Sequence, residues 1–98
     1  MFHTKGTVKT AHAAKYLQQL CKHFAHKVEV SYSTTGADVA FPMGPCKMRA
    51  TDDELQFHAS ALKTEGIERI KGIIINHLDR FAWRETIAYD WQDFNDAD

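Results

Sequence analysis

Three side chains that can bind a metal ion lie within six residues of one another: Cys21, His23 and His26. Thiolate and imidazole are ligands of zinc and copper. On a helix, Cys21 and His23 point about 200° apart and cannot share an ion, whereas His23 and His26 are three residues apart and can. The spacing favours a polar flank near a helix C-terminus, with a His23–His26 half-site as the alternative.

A second group joins residues that are distant in the sequence. Hydrophobic periodicity places Cys21, Cys46 and His77 on the inner faces of three different elements. Such a set could bind a soft transition metal or support redox chemistry. Free cysteine is also among the most buried residue types, so a structural role is favoured. Because no CxxC or HExxH motif occurs, a transition metal is the candidate cofactor but its identity stays unknown.

A third group surrounds the end of the second predicted helix. His77, Arg80 and Trp91 could line a pocket for a small anionic ligand, which the Arg80 guanidinium would bind as a fork. The favoured interpretation is structural, with Trp83 and Trp91 closing the core. No GxSxG motif and no glycine-rich phosphate loop is present, so no catalytic residue is assigned and an enzyme is the less favoured class.

Two helices are predicted to position these groups. The first runs from about Ala11 to His26, with Thr10 as its cap. The second runs from about Thr64 to Ala82 and carries an apolar stripe that includes His77. Gly72 lies inside it, where glycine costs roughly 1 kcal/mol relative to alanine, so close packing against a neighbour is expected there.

Short alternating segments predict the strands. Residues 3–9 are expected to form an edge strand, four strands follow between 28 and 59, and a last strand covers 87–91. The alternation indicates an antiparallel sheet with one buried and one solvated face. The prediction is an α+β fold, a two-layer sandwich with two helices on one face of the sheet, in the order β-α-β-β-β-β-α-β. Residues 1–92 form the single domain, and 93–98 form an acidic, frayed tail.

Composition excludes several classes of function. The chain has 98 residues, a net charge of -1 and no aliphatic run long enough to span a membrane. The outward strand positions include no aromatic residue, so nucleic acid is not an expected partner. These positions are Glu29, Lys47, Arg49, Gln56 and His58. Because the N-terminus lacks a signal peptide, the protein is predicted to be cytoplasmic with reduced thiols.

The chain resembles the bacterial family called domain of unknown function 2218 in three blocks, at 10–27, 41–46 and 77–91. The resemblance implies a small bacterial protein of uncharacterised activity. Relatives are sometimes joined to siderophore-interacting flavin reductases, which implies a link to iron handling and such a reductase as a partner. It supplies no catalytic residues. The positions that match the family pattern are Cys21, His23, His26, Cys46, His77, Arg80 and Trp91.

Three functions follow as hypotheses. The leading one is a non-enzymatic accessory domain that binds a metal or a small ligand, linked to iron or siderophore metabolism. The second is a small-molecule enzyme with a pocket near His77 and Arg80. The third is a protein-interaction module, such as a homodimer formed through the outer sheet face or the last strand.

Overall fold

The computed structural model describes residues 1–96 of the chain. It confirms the predicted α+β class and the predicted order of elements. Two helices pack on a six-stranded antiparallel sheet. The elements are β1 (Phe2–Lys9), α1 (Ala13–Phe24), β2 (Val30–Tyr32), β3 (Gly36–Phe41), β4 (Gly44–Ala50), β5 (Glu54–Ala61), α2 (Thr64–Phe81) and β6 (Tyr89–Asn95).

The strand order within the sheet is β2-β3-β4-β5-β1-β6. The expectation of β1 as an edge strand was wrong, because β1 pairs with β5 on one side and with β6 on the other. The prediction could not see this arrangement, since a strand's neighbours are set by pairings between distant segments. The edges of the sheet are instead the short β2 and the last strand, β6.

One face of the sheet is buried and the other is open. In β5, Leu55, Phe57 and Ala59 are almost fully buried, while the residues between them point away from the helices. Both helices contribute apolar residues to this inner face, including Leu17, Leu20, Ile70 and Ile74. Since none of the elements within residues 1–96 covers the opposite side, the sheet has an outer face on which side chains remain accessible.

The first helix is shorter than predicted, beginning at Ala13 and ending at Phe24. Its N-cap residue is His12, and Thr10 takes a different part in this junction. The Thr10 hydroxyl oxygen accepts the His12 N–H at 3.1 Å and donates its proton to Glu85, also at 3.1 Å. Tyr16 donates a second hydrogen bond to the same carboxylate. Burial and this bond raise the pKa of Tyr16 to about 12, so its hydroxyl stays protonated at neutral pH.

The last strand extends into the segment that was expected to be a frayed tail. β6 continues to Asn95, and its register places Asp93 opposite Thr4 and Phe94 opposite His3. The acidic composition concealed this strand, but the free edge of β1 offers backbone partners that acidic residues can use. Ala97 and Asp98, the rest of the predicted tail, lie outside the described residues.

Gly6 allows close contact between β1 and β6. It lies opposite Trp91 in the register, and a Cβ atom at residue 6 would collide with the indole ring. The ring also packs against Phe57, with centroids 5.9 Å apart, and Lys71 of α2 places its ammonium 5.8 Å from the indole centroid. The glycine therefore gives Trp91 room to lie flat across the strand beside the core.

Gly72 does not have the close packing predicted from the sequence. A Cβ at this position of α2 would meet no heavy atom within 4 Å. The expectation rested on the cost of glycine inside a helix, and nothing in the structure explains why glycine is present there.

Substitution by alanine is expected to have opposite effects on stability at Gly6 and at Gly72. Gly6→Ala should destabilise the fold by roughly 1–3 kcal/mol, because the added methyl overpacks against Trp91. Gly72→Ala should stabilise it by roughly 0.5–1 kcal/mol, because alanine is the better helix residue. Urea unfolding followed by circular dichroism measures both. Equal effects of the two substitutions would contradict the assigned packing.

Candidate functional site

The two cysteines are part of the hydrophobic core. Cys21 and Cys46 are both free thiols and have no exposed surface. Burial raises the pKa of Cys21 to about 11 and that of Cys46 to about 12. Metal binding and nucleophilic attack both need the thiolate. The core therefore keeps these thiols in the form that does neither.

His77, the third member of the predicted group with Cys21 and Cys46, packs against another histidine. Its Nδ1–H donates to the carbonyl oxygen of Ile73 at 2.6 Å, and its ring centroid lies 4.5 Å from that of His23. Phe24 packs against the same ring at 5.2 Å. Burial and then the neighbouring His77 lower the pKa of His23, which keeps that imidazole neutral. The contacts explain His77 as a packed helix residue.

The predicted metal sets do not form a chelating cluster. Within residues 1–96, no three or more His, Cys, Asp or Glu side chains are arranged to hold an ion. His23 turns toward His77, whereas His26 is exposed beyond the end of α1. The half-sites expected at Cys21, Cys46 and His77, or at His23 and His26, thus lack the full ligand set that a structural zinc ion needs.

The predicted anion pocket near α2 is also divided between different environments. Arg80 is exposed on the helix, while Trp91 lies against Gly6 and has a buried indole nitrogen without a hydrogen-bond partner in residues 1–96. Trp83 was expected to close the core, but 72% of its surface is exposed. It lies in the loop after α2, where the Arg84 guanidinium is 4.7 Å from its ring centroid.

The outer face of the sheet holds an open concavity with a volume of about 680 Å³. Lys5, His58 and Lys47 form one row across its floor, on β1, β5 and β4. Arg49 lies two residues further along β4. We call the surface formed by Lys5, Lys47, Arg49 and His58 the basic face.

The basic face has a charge opposite to that of the whole chain. The concavity is lined by three cations and one carboxylate, Asp38, so its formal charge is +2 whereas the chain carries -1. Asp38 lies 3.8 Å from Lys47, and both side chains are largely exposed, so their attraction is weak. No carboxylate forms an ion pair with Lys5 or Arg49 anywhere in the described chain.

A hydrogen-bonded chain of side chains adjoins the basic face. The carboxylate of Asp96 accepts from His3 Nε2 at 2.6 Å, which leaves His3 Nδ1 facing β5. That nitrogen is 2.8 Å from Ser60 Oγ and 3.3 Å from His58 Nε2. Phe94 stacks on the His3 ring at 4.9 Å. His58 is therefore oriented by a partner that is itself held at two points.

The surroundings of His58 favour its neutral form. Burial, followed by His3, Lys5 and Lys47, lowers the pKa of its imidazole, and Asp96 acts in the opposite direction with a smaller effect. The two carboxylates nearby are engaged by other side chains, since Asp96 is bonded to His3 and Asp38 is paired with Lys47. A bound anion would offset the positive potential at this position.

Several members of this surface were missed or misjudged from the sequence. Lys5 and His3 were taken as part of an edge strand, and Phe94 as part of a frayed tail. The outer face was expected to lack an aromatic residue, but Phe94 lies there with 43% of its surface exposed. The alternation of Lys47, Arg49 and His58 was the signal that did identify outward positions.

The cysteines supply a direct test of the core assignment. Ellman's reagent at about pH 8 should modify the native protein at least roughly a hundredfold more slowly than the protein in denaturant, because both thiols are buried and protonated. Absorbance at the thionitrobenzoate band follows both rates. Rapid modification of one thiol in the native state would show that it is accessible and reactive.

Neither helix among residues 1–96 combines the length and apolar character that crossing a lipid bilayer requires.

No curated protein sequence matches the chain. The NMR structure of PA4090 from Pseudomonas aeruginosa is 28% identical to it, with a TM-score of 0.79, and the match covers 94% of this chain and 96% of that one. The designed protein Foldit4 shares only the fold, at 11% identity and a TM-score of 0.56 over 97% of each chain.

The family comparison agrees with the resemblance noted in the sequence. Residues 5–92 match the family described as "Uncharacterized protein conserved in bacteria (DUF2218)". The matched range includes the cysteines of the core and the cations of the basic face. The chain therefore belongs to this family of uncharacterised bacterial proteins.

Proposed function

We propose that the protein is a cytoplasmic, non-enzymatic domain that binds a small anionic molecule on its basic face. The observation that carries the proposal is the row of Lys5, His58 and Lys47 on three adjacent strands, at the floor of an open concavity. This location replaces the pocket expected near His77 and Arg80. The link to iron or siderophore metabolism and the reductase as a partner remain predictions. The proposed binding site does not depend on either of them.

The spacing of the strands places the three side chains of the row close enough together to bind one ligand. Neighbouring antiparallel strands are about 4.8 Å apart, so three adjacent side chains cover a width close to 10 Å. A compact anion with two or more oxygen atoms can therefore contact more than one cation at once. Because the strands are part of a sheet, little ordering of the backbone is needed before binding.

A negatively charged boundary limits the size of the site. A second concavity of about 440 Å³ shares Ser31 and Asp38 with the first and is also lined by Glu29. A long polyanion extending over β3 and β2 would approach these carboxylates. The charge pattern therefore favours a small anion over a nucleic acid backbone.

Removal of one cation from the row should weaken binding. Lys47→Ala and Lys5→Ala should each raise the Kd for sulfate or oxalate about tenfold, because a charge-assisted hydrogen bond contributes roughly 1.5–3 kcal/mol. Calorimetry at low ionic strength measures the affinity, and chemical shifts of backbone amides in β1, β4 and β5 locate the site.

Lys15→Ala is the matched control, since Lys15 is exposed on α1, on the helix side of the sheet. It removes the same charge and should leave the Kd unchanged within twofold. Equal weakening by all three substitutions would indicate a non-specific effect of net charge. No binding of either anion would contradict the proposed function.

A further inference from the structure

We propose that binding of an anion on the basic face is coupled to the uptake of one proton at His58. This inference rests on the proposed function and specifies how the same site is regulated. It predicts that the protein holds its ligand more tightly as the pH falls.

The position of His58 is the first argument. It occupies the middle of the row, so its register partners are Lys5 on β1 and Lys47 on β4. An anion that bridges these two lysines must pass over the imidazole. A protonated His58 would then add a third cation directly beneath the ligand.

The hydrogen-bonded chain supplies the second argument. Because a carboxylate can only accept, Asp96 keeps the proton of His3 on Nε2. In neutral His3, Nδ1 is then an acceptor, and it lies 3.3 Å from His58 Nε2. The same Nδ1 lies closer to Ser60 Oγ, at 2.8 Å, so both side chains adjoin its one lone pair, and the contacts hold the His58 ring beside His3. Neutral His58 has one unprotonated ring nitrogen, and that atom takes up the second proton.

The charged groups around His58 determine the sign of the coupling. They are His3 and Lys5 on β1, Lys47 on β4, and Asp96 beyond β6, with Phe94 packing 5.9 Å from the ring. In the free protein, burial and the cations lower the pKa of His58. A bound anion offsets the cations and raises that pKa. Affinity therefore increases as the pH falls through the His58 pKa of the complex, and levels off once His58 is protonated in the free protein too.

Calorimetry with sulfate tests the coupling, because sulfate does not titrate over the range used. The Kd should fall by up to about tenfold per pH unit at the steepest point between about pH 8 and about pH 5. At a fixed pH, titrations in two buffers with different ionisation enthalpies give the number of protons taken up, expected to approach one. Ionic strength is held constant with chloride.

His58→Gln should bind sulfate with the affinity that the native protein has at high pH, and its Kd should no longer change with pH. The matched control is His26→Gln, which removes an exposed histidine beyond α1 and should retain the full pH dependence. The His58 ring resonances of the native protein give an independent measurement, since sulfate should move their titration midpoint upward.

The outcomes separate the two proposals. Sulfate binding that is independent of pH, or that keeps its pH dependence in His58→Gln, overturns the proton coupling and leaves the binding site intact. Absence of sulfate binding at every pH overturns both. An unchanged titration midpoint of His58 in saturating sulfate also overturns the coupling, whether or not the variant folds.

Discussion

The contact between Gly6 and Trp91 fixes the edge of the sheet on which the candidate site depends. The indole lies over a strand position that has no side chain, and Lys71 holds it from the helix side. This contact sets the register of β6 against β1. The same register places Phe94 opposite His3 and brings Asp96 within hydrogen-bond distance of the His3 ring. A packing interaction on the buried face thus determines the arrangement of polar groups on the open face.

The two faces of the sheet divide the reactive residue types between them. The inner face holds Cys21 and Cys46 in an apolar environment that keeps them protonated, and His77 beside it is bonded to its own helix. The outer face holds lysine, arginine and histidine in an environment open to solvent and poor in counter-ions. Residues that look most reactive in the sequence are therefore structural, and commoner residue types form the surface with chemical potential.

The sequence was sufficient for the parts of the fold that depend on local periodicity. Alternation in residues 46–59 identified inner and outer positions, and the apolar stripe of α2 identified its buried side. It was insufficient for the position of β1, because the pairing of β1 with β5 and β6 joins segments far apart in the chain. The candidate site could not be predicted from the sequence for the same reason. Lys5 and His58 become neighbours only through that pairing, and Phe94 joins them only because β6 extends past Trp91.

The strand order also bears on how the chain folds. Strands β2 to β5 form successive hairpins with partners that are near in sequence, so they can assemble early. Strand β1 must wait for β5, and its second partner, β6, follows all the other described elements in the chain. Until then β1 and β5 expose unpaired backbone edges, which are templates for aggregation. The large sequence separation between β1 and its two partners implies late completion of this corner of the sheet, and the basic face forms only when β1 pairs with β5.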